Sequence, residues 1–203
     1  LPPNGISVDD NGDLLIISSL SEIFKWHVSE QRLEKISDVI FSQQNGYLNT
    51  EAIERPIVLP DSDDTLWVAQ DEGLARLDLN TQEVYPIRYP ASDQNYKNFR
   101  EFRTLALDNR DNLWIGTYKH GVYIYHTQRQ SFSHLDTSVG LSHPEVLEIF
   151  RDSHGGMWVG TGDGVNLWEE STQQFTTFKN DPDNPHSLLG SIIQDIHETE
   201  NGN

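Results

Sequence analysis

The stretch Asn112-Leu113-Trp114-Ile115-Gly116-Thr117-Tyr118 recurs as Gly156-Met157-Trp158-Val159-Gly160-Thr161-Gly162 and, upstream, as Asp64-Thr65-Leu66-Trp67-Val68-Ala69-Gln70. A weaker copy, Asp13-Leu14-Leu15-Ile16-Ile17-Ser18-Ser19, puts Leu15 where the others carry Trp. Successive copies stand 52, 47 and 44 residues apart, counted from Leu15 through Trp67 and Trp114 to Trp158. A period of about 40–50 residues belongs either to propeller blades or to helical repeats. The flanks decide between them. Each core is preceded by an apolar run and a polar turn, as in Leu105-Ala106-Leu107 before Asp108-Asn109-Arg110-Asp111-Asn112, and Leu147-Glu148-Ile149-Phe150 before Arg151-Asp152-Ser153-His154-Gly155-Gly156. It is followed by Gly121-Val122-Tyr123-Ile124-Tyr125 or Gly164-Val165-Asn166-Leu167-Trp168, a second turn, and Ser131-Phe132-Ser133-His134-Leu135 or Gln174-Phe175-Thr176-Thr177-Phe178. Four short runs rich in Val, Ile, Thr and aromatics, punctuated by Gly, Asp and Asn, read as four antiparallel strands, A to D. That unit is a propeller blade. No stretch holds a 3.6-residue apolar period with caps; residues 92–104, after Pro90, read as a long loop. The expected fold is all-β.

Composition narrows the function classes. The 203 residues carry 14 Lys and Arg against 32 Asp and Glu, a formal charge of −18 with His neutral. Such an excess repels a phosphate backbone, so nucleic acid is excluded as a partner. No run approaches the roughly 18 apolar residues of a membrane span, so any membrane link is expected through flanking segments. Cys is absent, which removes disulfides, thiolate metal sites and cysteine nucleophiles. The chain opens Leu1-Pro2-Pro3-Asn4-Gly5, without a basic and apolar leader.

The repeated Asp, Gly or Asn, then Leu-Trp-Ile-Gly-Thr, a turn, Gly-Val and a closing Phe-x-x-Phe or Leu resembles the two-component regulator propeller repeat. Gly140-Leu141-Ser142-His143-Pro144-Glu145-Val146 resembles that family's lead-in to strand A, and Asn180-Asp181-Pro182-Asp183-Asn184-Pro185-His186-Ser187-Leu188 resembles its Asp-Pro-x-Asn-Pro-x-Ser-Leu variant. The first copy departs from the pattern: Ile17-Ser18-Ser19 replaces Gly-Thr, and Ser21-Glu22 stands where Gly is expected. The resemblance implies the periplasmic sensor region of an inner-membrane bacterial receptor, such as a histidine kinase, hybrid two-component protein or diguanylate cyclase. It also implies more blades than this chain holds. Blades are expected at about 1–45, 53–90, 102–136 and 145–179, with 190–203 as the first strand of a fifth in a larger propeller. Open blade faces are apolar, so self-association as a dimer is expected.

Candidate site residues are those the repeat does not require. The B–C turns and D–A loops lie at one end of a blade, where loops of several blades converge and ligands bind. That end collects Tyr118, Lys119, His120 and Asp163 from B–C turns, and Arg100, His143, Glu145 and His186 from D–A loops, besides Ser19 to Ser21, Gln70-Asp71-Glu72 and Tyr96 to Arg103. Trp67, Trp114 and Trp158 are assigned instead to packing between blades. Gly116, Gly160 and Ala69 suit close approach of a neighbour, and Asp108 and Asp152 suit turns whose amides they cap. Ser142, His143 and Glu145 are triad residue types without a Gly-x-Ser-x-Gly elbow, so no catalytic residue is assigned. The acidic turns Asp61-Ser62-Asp63-Asp64 and Asp181-Pro182-Asp183-Asn184 offer oxygen ligands to calcium but lack the EF-hand spacing; no metal and no cofactor is assigned. The ranking is a sensor of a small polar ligand such as a carbohydrate, then an interaction scaffold, then an enzyme. The Trp-Asp and Gly-His dipeptides of WD40 scaffolds are missing.

Overall fold

The computed structural model describes residues 6–8, 11–17, 23–37, 57–62, 64–70, 73–81, 83–90 and 99–199. They form sixteen strands in four antiparallel sheets, each a four-stranded meander in chain order. The first sheet comprises β1 (Ile6–Val8), β2 (Leu14–Ile17), β3 (Ile23–His27) and β4 (Arg32–Ser37). The second comprises β5 (Ile57–Ser62), β6 (Thr65–Gln70), β7 (Gly73–Asp78) and β8 (Val84–Ile87). The third holds β9 (Phe102–Leu107), β10 (Leu113–Thr117), β11 (Val122–His126) and β12 (Ser131–Leu135). The fourth holds β13 (Val146–Arg151), β14 (Met157–Thr161), β15 (Gly164–Glu169) and β16 (Gln174–Phe178). Among the described residues there is no α-helix, and a single 3-10 turn, Thr137–Val139, stands between the last two sheets. These are propeller blades, as the repeat predicts.

The chain divides into two compact units, Leu1–Arg100 and Glu101–Asn203. The first encloses Leu15, Ile23, Leu66, Val68 and Leu77. The second encloses Trp114, Val122, Ile124, Leu135, Leu141, Val146, Ile149, Met157, Val159 and Phe175, drawn from both of its blades. One repeated device shapes the A–B turns of the second unit. Asp108 accepts the backbone N–H of Arg110 and Asn112 at 2.8 and 2.9 Å, and Asp152 accepts those of His154 and Gly156 at 2.9 and 2.7 Å. The other carboxylate oxygen of each takes the indole N–H of the repeated Trp, from Trp114 at 3.3 Å and Trp158 at 2.7 Å. Trp114 also meets Trp168 of the following blade edge-on, with centroids 6.2 Å apart, which is the inter-blade packing expected of it.

Gly116 carries the close approach. A Cβ there would stand 2.6 Å from both Thr104 Cγ2 and Val146 Cγ1, so β13 of the next blade rests directly on β10. Gly160 occupies the equivalent place in the fourth blade, and a Cβ there would stand 2.9 Å from the carbonyl oxygen and Cγ2 of Ile193.

Ile193 belongs to the segment expected to open a fifth blade. Residues 190–199 form no strand, and 200–203 lie outside the described residues. A ladder needs a second strand alongside, and none runs there among the described residues. The segment nonetheless repeats, 47 residues on, the seating of the Pro144–Arg151 stretch. Gly121 N–H donates to Pro144 O at 2.9 Å and Gly164 N–H to Ser191 O at 2.6 Å. Val146 lies over Gly116 and Ile193 over Gly160. Arg151 reaches the preceding A–B turn at Asp108 O (3.2 Å), and Glu198 reaches the next one, accepting from Ser153 N and Oγ at 2.9 and 2.7 Å.

Candidate functional site

The B–C turn of the third blade is tied down from both sides. Thr117, fully buried, donates its hydroxyl to Gly121 O at 2.8 Å and accepts the N–H of His120 at 3.0 Å. His134, stacked on Tyr123 with centroids 4.3 Å apart, reaches His120 O through Nε2 at 2.5 Å. Tyr118 N–H donates to Glu101 O at 2.9 Å, and the ring of Tyr118 is met by Arg103 Cζ at 4.5 Å and Lys119 Nζ at 4.8 Å from its centroid. Tyr118 and Lys119 are thus in contact, and the backbone N–H and carbonyl of His120 are both bonded.

Gly121 N–H, bonded to Pro144 O, joins this turn to the D–A loop that carries His143 and Glu145. His143 Nδ1 accepts the N–H of Glu145 at 3.1 Å, which leaves Nε2 to carry the proton of the neutral ring. Glu145 O in turn accepts from Gly162 N at 3.1 Å. A Cβ on Gly162 would lie 2.8 Å from His143 Nδ1 and 3.2 Å from Glu145 Oε2, so both side chains gather on the fourth blade's B–C turn. Asp163 stands on that turn. Lys179 Nζ, 2.7 Å from its Oδ2, holds the Asp163 carboxyl below its ordinary value against the opposing effect of burial, with help from Ser191 and His143. His143, Glu145, Asp163 and Lys179 form one half-exposed group. It adjoins the Arg103, Tyr118 and Lys119 stack through the Gly121 to Pro144 bond.

Two expected members are carried on other segments. Arg100 is exposed and belongs to the first unit. His186 is exposed in a loop closed on itself, where Asn184 Oδ1 accepts its N–H at 3.0 Å and Asp181 N donates to Ser187 Oγ at 2.9 Å. Ser19 to Ser21, Asp71, Glu72 and residues 96–98 lie outside the described residues.

The triad residue types do not assemble. Ser142 Oγ bonds Thr161 Oγ1 at 2.7 Å, and its N–H goes to Asn166 Oδ1 at 2.9 Å, so neither polar group turns to His143. Asp61 pairs with Arg76 and accepts from Thr65, and Asp181 Oδ1 accepts the N–H of Asp183. Among the described residues no three His, Asp or Glu side chains lie together as metal ligands. Sequence reasoning passed over two residues that matter here, Lys179 and Glu148, and named Arg103 only as the end of the Tyr96 to Arg103 stretch. Burial, reinforced by the charge of Asp195, pushes the Glu148 carboxyl up to about 7, while His197 and the N–H of Ile149 pull the other way.

The two component regulator propeller family matches residues 140–163, which cover the D–A lead-in, β13, β14 and the turn bearing Asp163. Histidine kinase P4 of Formosa agariphila is 27% identical over 147 residues, 69% of this chain and 10% of that protein. Among solved structures, the extracellular domain of a hybrid two component system of B. thetaiotaomicron superposes with a TM-score of 0.69 at 19% identity, over 98% of this chain and 24% of its own. A virginiamycin B lyase of Staphylococcus aureus superposes at 0.58 and 11% identity, over 88% of this chain and 57% of its own. At these identities the superpositions speak for the fold. The chain thus spans a tenth of the curated relative and about a quarter of the extracellular domain it matches. With its four-stranded blades it is a β-propeller segment, and residues 140–163 match the two component regulator propeller repeat.

Proposed function

We propose that this chain is a ligand-sensing segment of a bacterial signal-transduction receptor, lying in the periplasm as part of an inner-membrane protein whose output domain is elsewhere in the parent. The observation that carries this reading is the gathering of Tyr118, Lys119, His143, Glu145 and Asp163 at one end of the second unit, on turns and a loop whose repeat does not need them. Likeness to the extracellular domain of a hybrid two component system supports the same reading. The ligand is a small polar molecule such as a carbohydrate, bound rather than transformed: the hydroxyl and histidine that would make a nucleophile are engaged apart. Arg100 and His186 remain candidates for the same end of their own blades.

Signalling follows from differential affinity. A ligand shifts a receptor between two states only by as much as it prefers one of them. The D–A loop bearing His143 and Glu145 leads straight into β13, so a ligand held there bears on the seating of one blade against the next. Replacing His120 and His143 with Ala in the parent receptor is expected to reduce the ligand-evoked output with the melting temperature of the domain unchanged. Full output from the double variant, or its failure to fold, would refute the assignment. A second reading, an interaction scaffold, draws on the exposure of Leu189 (99%) and Ile192 (65%) beside the fourth blade. We propose that this surface takes part in dimer formation.

A further inference from the structure

We infer that Arg103, Tyr118 and Lys119 form a subsite for an anionic group, a carboxylate or a sulfate, carried on a sugar-sized polar ligand. The inference rests on the ligand-binding reading above and names the chemistry that this end would select.

The starting point is the balance of charge. With 32 acidic residues for 14 Lys and Arg, a cation in this chain has carboxylates to spare, and five other cations pair with them. Lys25 is near Asp13, Arg32 pairs with Glu30 and Glu34, Arg76 with Asp61, Arg110 with Glu170 and Lys179 with Asp163. Arg103 and Lys119 have no carboxylate within ion-pair distance among the described residues. Instead both cationic groups lie within 5 Å of the centroid of one ring, at 4.5 and 4.8 Å. Two like charges gathered about one aromatic ring repel one another, and the attraction of the ring offsets this only weakly at an exposed position. An anion between them would relieve the repulsion.

A neutralising group is close in sequence and is turned away. Glu101 stands two residues before Arg103, and its carbonyl oxygen holds the N–H of Tyr118. Its Oε2, however, is buried with no hydrogen-bond partner. Its backbone sits in the left-handed region at φ 56°, an unfavourable conformation for a residue with a side chain. That backbone geometry persists only where the surroundings fix it, and here it accompanies a carboxylate withdrawn from two nearby cations. The pair is left exposed on a protein whose net charge would otherwise repel anions. The planar guanidinium of Arg103 suits the paired oxygens of a carboxylate or sulfate, and the Lys119 ammonium adds a second charge without a fixed direction.

The experiment is a nuclear magnetic resonance titration of the full chain, following the backbone amides of Tyr118, Lys119 and Gly121, with sodium glucuronate, glucose and sodium sulfate as separate probes. Saturable shifts with glucuronate at least tenfold stronger than with glucose are expected. Arg103→Gln and Lys119→Gln, both at exposed or half-exposed positions, should each weaken glucuronate binding several-fold with the rest of the spectrum retained. Added sodium chloride should weaken it too, because the contact is ionic and exposed. Tighter binding of glucuronate than of sulfate would assign the group as a carboxylate, and the reverse order as a sulfate. Absence of a saturable shift with either anion, or shifts unchanged in the double variant, would overturn the subsite. If glucose binds at these amides as tightly as glucuronate, the anionic subsite fails while the ligand-binding end stands. If the anion binds here but the His120 and His143 variants leave receptor output intact, the sensing reading fails while the subsite stands.

Discussion

Asp152 closes its A–B turn through two backbone amides and receives the indole N–H of Trp158 on its second oxygen. Burial opposes its charge, yet those donors outweigh it and hold the carboxyl below its ordinary 3.8. Its turn role is legible in the sequence, because Asp at the head of a polar turn ordinarily bonds the following amides. The indole bond is not: Trp158 lies six residues on, and the two meet only once the hairpin pairs Phe150 with Trp158. The same holds for Arg103. Nothing in a linear reading reports that it covers Tyr118 or that Glu101 turns its carboxylate inward. Trp114, by contrast, is named by its recurrence alone, and it is 2% exposed. Trp114→Ala should therefore cost about 3–5 kcal/mol, the range for a buried large aromatic. Chemical denaturation checks this, and unchanged stability would contradict the packing role.

At the scale of the element, the alternation of apolar residues and turn signals made the four-stranded meanders readable. The strand expected from residue 190 is where that reading stopped short, since strand formation depends on a neighbour that local sequence does not supply. The segment is seated instead by Ile193 over Gly160, by the bonds of Ser191 and Ile193 to β15 and β14, and by Glu198 on Ser153. Glu148, paired with Gly160 in the sheet, lies beneath it. The charged groups acting on it from the segment are Asp195 and His197. With its folded value raised from 4.5 to about 7, the folded form binds the extra proton across that interval. Stability is then fully present below about 4.5 and is lost as pH rises toward 7. Hydrogen exchange at the amides of Gly164 and Ile193, which span the contact, should accelerate across that window beyond the intrinsic pH dependence of exchange. Glu148→Gln should remove the excess. Identical pH profiles for the two proteins would refute the coupling.

For the whole molecule, the net charge of −18 sets an electrostatic cost on any contact with a phosphate backbone, and no described helix is long and apolar enough to cross a membrane. The resemblance to a sensor propeller is legible from residues 64 to 178, whereas the ligand is not, because the repeat encodes the scaffold and leaves its loops free to vary. Leu189 and Ile192 stand exposed beside the fourth blade, so the proposed dimer should depend on them. Sedimentation equilibrium of the wild type and of a Leu189→Ser, Ile192→Ser variant should show a dimer weakened to monomer, and an unaltered distribution would remove this surface from the association. The central claim, a sensing segment within a receptor, is tested most directly by reading the parent gene on both sides of the chain. The account predicts further propeller blades, then a membrane-spanning segment and a kinase, hybrid or cyclase output domain. A parent protein that is cytoplasmic and has no output domain would contradict it.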